Sequence, residues 1–227
     1  MKFTDKVRNL FDFGGTLSGS VPYLGLAVNH MLRSLEYPEY NEDMIRTWVG
    51  NGAQMLVKRA LSGNIIVDED LDQALFEDAL GRFMNYYGEH ICIGTAAYPK
   101  VGETLRALKE EGYLLAIVTN KPYGFIAPIL EALGLNGLFE FCVGGDSLPK
   151  RKPDPLPLIY VCETLGAPVE KAIMVGDSKN DILAAQAAGM DSIGVTYGYN
   201  YGEGIDVYRP DVVIDQFSKL CTLLESR

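Results

Sequence analysis

From residue 101 onward the chain alternates two hydrophobic patterns, and that alternation constrains its fold more than any other feature. Leu114-Leu115-Ala116-Ile117-Val118-Thr119 is an almost wholly apolar run of strand length. Segments 139–143, 172–175 and 192–196 read as further strands, and 211–215 is a candidate sixth once the N-terminal segment 7–11 is included. Helical spacing fills the intervals: Val101, Leu105 and Leu108, then Ile126, Ile129, Leu130 and Leu133, then 155–165, 182–188 and 217–224. Gly134 and Gly189 stand where two of those helices should stop. A strand that is apolar on both faces needs cover on both, and alternating helices supply it. The expectation is an α/β fold, a Rossmann-like doubly wound parallel sheet of five or six strands.

One stretch breaks the alternation. After the strand at 7–11, no convincing strand run occurs between Ser20 and Ile93. Leu24, Val28, Met31, Leu32 and Leu35 recur at helical spacing, with Ser20 placed to cap that helix and Pro22 in its first turn. Further helices are expected over 42–49, with Asn41 as N-cap, and over 53–61, after the turn Gly50-Asn51-Gly52. A longer one is expected over 69–90, where Leu71, Leu75, Ala79, Phe83 and Tyr87 form an i, i+4 stripe. So much helix after a single strand is an insertion. The expected division is an α/β core from 1–18 and 95–227 and an all-helical inserted domain at 19–94, with 18–20 as a linker.

Composition narrows the partners. A chain of 227 residues fits one large domain, or a core with a smaller one attached, and 48% hydrophobic against 22% charged residues is ordinary for a soluble globular protein. A net charge of −10 argues against nucleic acid, whose backbone needs clustered Lys and Arg, but leaves room for a small anion met by a few local cations. Cys92, Cys142, Cys162 and Cys221 form no CxxC pair, so they are expected as small apolar core residues rather than zinc ligands or disulfides. No run is long enough to cross a membrane or serve as a signal peptide, which makes a cytoplasmic protein the expectation. Monomer and homodimer both remain open.

The polar residues collect at strand ends. Asp12, Thr119-Asn120 and Asp177 each follow an apolar strand, and in a doubly wound sheet those carboxyl ends share one edge, where ligands bind. If the first strand is central and the fourth lies beside it, Asp12 and Asp177 face each other where the strand order reverses. Two converging carboxylates repel unless a cation lies between them, and Mg²⁺, a hard ion content with one or two carboxylates and phosphate oxygens, suits the place. Asp181, one helical turn past Asp177, is placed to orient a metal-bound water or Lys179. Thr119 and Asn120 offer a hydroxyl and an amide to phosphate oxygens, and Lys152 a cation. Each feature has a plainer reading taken singly: a turn cap for Asp12, an acidic helix start for Asp177 and Asp181, a solvated basic cluster around Lys152.

In order along the chain, Asp12-Phe13-Gly14-Gly15-Thr16, Thr119, Lys152 and Gly176-Asp177-Ser178-Lys179-Asn180-Asp181 resemble the four motifs of the haloacid dehalogenase superfamily. The resemblance spans the chain nearly end to end. Within the superfamily, Trp48-Val49-Gly50-Asn51-Gly52, Val118-Thr119-Asn120-Lys121-Pro122 and Thr196-Tyr197-Gly198-Tyr199-Asn200-Tyr201-Gly202 are similar to segments of the phosphoglycolate phosphatases. The resemblance implies that the helical insertion is a mobile cap and that the substrate is a small phosphate monoester, most closely 2-phosphoglycolate. It implies Asp12 as the nucleophile that becomes an aspartyl-phosphate, with Thr119 and Lys152 steadying the transferring group. It implies Mg²⁺ on Asp12, the Gly14 carbonyl and Asp177, with Asp181 at the metal site. Thr16, Asn120, Asn51 and Gly52 are then substrate-binding candidates, and Lys58 or Arg59 either meets the substrate or lies on a solvated helix face.

The chain departs from the family at Gly14, where the pattern carries the Asp that protonates the leaving oxygen and later activates water. The familiar V-D-S that follows is Ser18-Gly19-Ser20, so a second acid is absent nearby. General acid–base help is worth about 10²–10⁴-fold, or roughly 3–5 kcal/mol of barrier, so the resemblance implies impaired turnover with metal and phosphate binding retained. Two alternatives accompany this reading. A C–P or C–halogen hydrolase of the same superfamily also lacks that Asp, and a catalytically weak phosphometabolite-binding protein would not need it.

Overall fold

The computed structural model describes residue 3 and residues 5–93 and 95–224. The chain runs β1 (Arg8–Phe11), β2 (Ser18–Gly19), α1 (Val21–Ser34), α2 (Glu42–Trp48), α3 (Ala53–Ser62), α4 (Gln73–His90) and β3 (Ala96–Ala97). It continues α5 (Val101–Glu110), β4 (Leu114–Val118), α6 (Ile126–Ala132), β5 (Phe141–Val143), α7 (Leu156–Thr164), β6 (Ala172–Gly176), α8 (Lys179–Ala188), β7 (Asp191–Val195), β8 (Val212–Ile214) and α9 (Leu220–Leu223).

Six strands form one parallel sheet in the order β5-β4-β1-β6-β7-β8. The expected α/β sheet is present, including its sixth strand. Successive residues of the central strands serve opposite faces: Leu10, Ala116 and Met174 pack with α7 and α8, while Phe11, Ile117 and Val175 pack with α5 and the C-terminal segment. Both faces are buried, so the strands are apolar throughout rather than alternating. The chain builds outward from β1 through β4 to β5, then returns to the other side of β1 to lay down β6. The order therefore reverses between β1 and β6.

Helices α1 to α4 occupy the interval between β2 and β3. Leu24, Val28 and Met31 of α1 pack with Phe76, Ala79 and Phe83 of α4 in a cluster that continues into Phe13 and Leu17 beside β1. The expected linker at 18–20 differs: Ser18–Gly19 pairs antiparallel with Ala96–Ala97, joining the two ends of the insertion. Two-residue strands are too short to leave a periodicity. Ser20 occupies the N-cap position of α1, but its hydroxyl makes no capping bond. The long helix starts at Gln73 rather than 69, because Asp72 accepts from the Leu75 N–H at 2.7 Å and fixes the start, leaving Leu71 outside the helix. Helix α8 begins at Lys179, three residues before the apolar spacing shows it, and the expected helix at 217–224 is a 3₁₀ turn followed by α9. Residue 94, the expected end of the insertion, lies outside the described residues, as do 1–2, 4 and 225–227 of the expected core. Cys162 is buried, Cys142 and Cys221 partly so, and Cys92 exposed against expectation; all four thiols are free.

Candidate active site

The order reversal places Asp12, just past β1, beside the end of β6: its N–H donates to the Val175 carbonyl at 2.9 Å. Thr119 is held likewise on the other flank, its N–H donating to Val143 at 3.0 Å. Gly15 makes the turn that lets the chain leave this edge. Its φ is +97°, and a Cβ there would lie 2.1 Å from Asp177 Oδ2, so both the backbone and the space require glycine. Gly14 is different. Its φ is not in the left-handed region, and the nearest atom to a Cβ would be Ser20 Oγ at 3.3 Å.

Three carboxylates converge here. Asp12, Asp177 and Asp181 each offer an oxygen within 4.8 Å of the others, and all three are buried. Lys152 Nζ donates to Asp12 Oδ1 at 2.9 Å, to Asp181 Oδ1 at 2.6 Å and to the Val118 carbonyl. With 2% of its surface exposed, Lys152 is a fully desolvated cation. Burial alone would lower its pKa, but Asp12 and Asp181 outweigh that and raise it, so it stays charged. Stripping such a buried pair of one partner costs about 3–5 kcal/mol, so Lys152 serves the fold as well as the site.

Among the described residues Asp177 has no cation of its own. Thr16 Oγ1 donates to its Oδ1 at 2.8 Å and the Tyr199 N–H to its Oδ2 at 2.7 Å. Burial raises its pKa well above the ordinary range and the charges of Asp12 and Asp181 raise it further, with those two hydrogen bonds offsetting part of the effect. Asp181 is also raised by burial, and Lys152 pulls it part of the way back. Its Oδ2 accepts from the Ser178 N–H and hydroxyl, both at 3.0 Å, tying the acid to the start of α8. One ammonium against three carboxylic acids leaves the cluster undercompensated, most of all at Asp177. Hard oxygen donors converging with surplus charge fit a divalent ion such as Mg²⁺.

The site has two connected parts. A small polar chamber is lined by the acids, Lys152 and Asn180. An adjoining cleft shares Asp12, Gly14 and Asn120 with it and runs beneath the inserted helices past Leu24, Leu56 and Phe83. Thr119 faces this cleft, as do Gly52 and Ser20.

The sequence-derived candidates divide accordingly. Asp12, Gly14, Thr119, Lys152, Asp177 and Asp181 come together as expected, and Asn120 lines both parts, donating to the carbonyls of Gly50 at 3.0 Å and Lys152 at 2.9 Å. Thr16 is wholly buried behind Asp177, which it positions, and does not reach the cleft. Asn51 also lies off both parts. It accepts from the Tyr201 hydroxyl at 2.8 Å, while Asn180 Nδ2 donates to Tyr201 Oη at 2.8 Å and to the Gly50 carbonyl at 3.0 Å. This network fastens the 50–52 turn to the start of α8 and to the loop after β7. Asp181 orients Lys152 and not Lys179, whose ammonium lies 3.8 Å from Glu203. Lys58 sits over the Phe76 ring and serves the helical layer, while Arg59 donates to the Trp48 carbonyl at 2.7 Å and lies 5.6 Å from the Tyr201 ring, joining that layer to the loop after β7.

Tyr199, Asn180, Tyr201 and Lys121 were assigned no role from sequence. For Tyr199 and Tyr201 the available signal was the glycine- and tyrosine-rich run after β7, which ends on the same sheet edge as Asp12 and Asp177; Lys121 and Asn180 stand directly beside the strand-end residues Thr119-Asn120 and Asp177.

Comparison with known proteins agrees with this geometry. The haloacid dehalogenase-like hydrolase family matches residues 9–195. A phosphoglycolate phosphatase of Colwellia psychrerythraea is 49% identical over 99% of this chain and all of its own length. One from Psychrobacter arcticus is 48% identical over 97% of this chain and 96% of its own. A crystal structure of a predicted phosphoglycolate phosphatase from Haemophilus somnus superposes with a TM-score of 0.90 at 40% identity, covering 96% of this chain and 98% of that one. With its strand-end acids and buried lysine gathered where the order of a six-stranded parallel sheet reverses, the chain belongs to the haloacid dehalogenase-like hydrolase family.

Proposed function

We propose that this chain is a Mg²⁺-dependent phosphatase of small phosphate monoesters, with 2-phosphoglycolate as its substrate, and that Gly14 slows its turnover. The observation that carries the reading is the state of Asp12: one oxygen is held by Lys152 at 2.9 Å, and the other has no hydrogen-bond donor among the described residues, where Asp12 lines the cleft. The free oxygen attacks phosphorus, the bond from phosphorus to the leaving oxygen breaks, and water later hydrolyses the aspartyl-phosphate. Lys152 holds and aims Asp12, and Thr119 presents its hydroxyl to the transferring group.

Asp12, Asp177 and the Gly14 carbonyl would hold the metal ion, with Asp181 supporting it through Lys152 and Ser178. When bound, Mg²⁺ supplies positive charge against the phosphate oxygens. Helices α1 to α4 act as a cap whose 50–52 turn covers the polar chamber and excludes water. The chemistry lacks a proton carrier, because Gly14 has no side chain to serve the leaving oxygen. The relatives bearing the name phosphoglycolate phosphatase support the substrate, and the acid cluster supports the metal. A C–P hydrolase that works through a lysine of the cap is disfavoured, since Lys58 lies over Phe76 away from the cleft. Among the described residues no helix is long and apolar enough to cross a membrane, in keeping with a small soluble metabolite as substrate.

A phosphatase assay on a panel of small monoesters, with and without Mg²⁺, tests the reading. It predicts slow, Mg²⁺-dependent phosphate release with 2-phosphoglycolate preferred. Saturable binding with no release from any monoester would instead favour a binding protein.

A further inference from the structure

The cleft beside Asp12 holds one cation whose purpose the catalytic chemistry does not explain. Lys121 is the one charged group besides Asp12 among the residues lining it, in walls that are otherwise largely apolar. Among the described residues no carboxylate lies within ion-pair distance of its ammonium. Its partner is Tyr87 of α4: Nζ donates to the phenol oxygen at 2.6 Å and lies 4.9 Å from the ring centroid. Tyr87 is buried and braced by Phe83, stacked at 5.6 Å, and Phe125, edge-on at 5.1 Å. The backbone of Lys121 is fixed as well, since its N–H donates to Thr119 Oγ1 at 3.3 Å and its carbonyl accepts from Gly145 at 2.8 Å.

A half-buried ammonium in apolar surroundings needs an anion or water. Here one of its three protons is used on Tyr87, which leaves two to donate, and Tyr87, an acceptor in that bond, still has its own O–H proton to give. Ammonium and phenol together form a donor pair suited to a carboxylate. Thr119, Lys121 and Tyr87 line the same cleft as Asp12, so one small ligand faces both the phosphate end and this donor pair.

We propose that Lys121, supported by Tyr87, binds the non-reacting carboxylate of the substrate and so selects acidic leaving groups over neutral ones. This rests on the phosphatase reading above and names the residue that sets its specificity. An uncharged alkyl group in the same place would leave the ammonium without a counter-ion. Because Tyr87 belongs to the inserted helices and Lys121 to the sheet edge, the carboxylate is met by both sides of the cleft at once.

The test compares 2-phosphoglycolate with ethyl phosphate, which has the same two-carbon chain without the carboxylate. Affinities are measured by calorimetry with Mg²⁺, or as competing inhibition constants against a chromogenic aryl phosphate where turnover intervenes. The unaltered chain should prefer 2-phosphoglycolate, and the ratio of affinities should fall on the order of tenfold or more in Lys121→Met. Lys121→Arg should restore part of the ratio, and Tyr87→Phe should lower it by a smaller factor. No preference in the unaltered chain, or an unchanged ratio in Lys121→Met, would overturn the proposal, and a parallel loss for both ligands counts as an unchanged ratio. Preference without turnover of any monoester would sink the phosphatase reading and leave this one standing. Turnover without preference would do the reverse.

Discussion

The two parts of the site are built on opposite principles. In the polar chamber nearly every group is fixed by a named partner: Lys152 bridges Asp12 and Asp181, Ser178 anchors Asp181, and Thr16 with the Tyr199 N–H hold Asp177. In the adjoining cleft the walls are Leu24, Leu56 and Phe83, and polarity is confined to a few points. The chamber can therefore orient charge before a ligand arrives, which is what stabilising a phosphoryl group demands. The cleft can sort leaving groups by size and by a single charge. Gly14 lies where the two meet, and in the proposed reaction that is where a proton carrier would be missing.

Substitutions in the chamber should have the larger effects. Asp12→Asn removes the attacking oxygen and should lower phosphate release on the order of 10³-fold or more, measured in steady state with Mg²⁺. A rate within tenfold of the unaltered chain would take the nucleophile's role away from Asp12.

Asp177→Asn should split binding from stability. Mg²⁺ affinity, measured by calorimetry, should fall roughly tenfold or more with the loss of a carboxylate ligand. Metal-free stability should move the other way. Burial and the neighbouring acids raise the folded pKa of Asp177 above its unfolded value, so the folded state binds the extra proton. Stability without metal is then fullest below the unfolded value and is lost as pH rises through the folded one. Asparagine removes that loss, so metal-free Asp177→Asn should melt higher than the unaltered chain at neutral pH, and the gap should close in acid. Equal melting temperatures at both pH values would show that the repulsion is already relieved within the protein.

The smallest effect belongs to the fastening between insertion and core. Tyr201→Phe removes the hydroxyl shared by Asn51 and Asn180 and should change kcat/KM by a few-fold, as one neutral hydrogen bond is worth about 1 kcal/mol. A loss near that of Asp12→Asn would place this network inside the chemistry.

Legibility followed range along the chain. Asp12 and Asp177 could be paired from sequence because each ends an apolar strand, and parallel topology brings such ends to one edge. The helices of the insertion were visible because Leu24, Val28 and Met31 on one side, and Phe83 and Tyr87 on the other, keep helical spacing. The partner of Asp181 was not visible: Lys179 is nearer in sequence, but Lys152 arrives from the loop after β5, and only the fold brings it there. The partners of Asn51 and Lys121 were hidden for the same reason, since Tyr201 and Tyr87 lie across the boundary between the helices and the sheet. The β2–β3 pairing is too short for any pattern to announce it.

The central claim is that the site is complete apart from one carboxyl group, and Gly14→Asp tests it most directly. The backbone at Gly14 lies outside the left-handed region, and the one close neighbour of a new Cβ would be the Ser20 hydroxyl, which has no capping bond to lose. Asp should therefore fit and supply the missing proton transfer. With 2-phosphoglycolate and Mg²⁺, kcat of Gly14→Asp should exceed that of the unaltered chain by on the order of 10²-fold or more. Equal kcat values in two folded proteins would contradict the account, because some other group would then be carrying the proton.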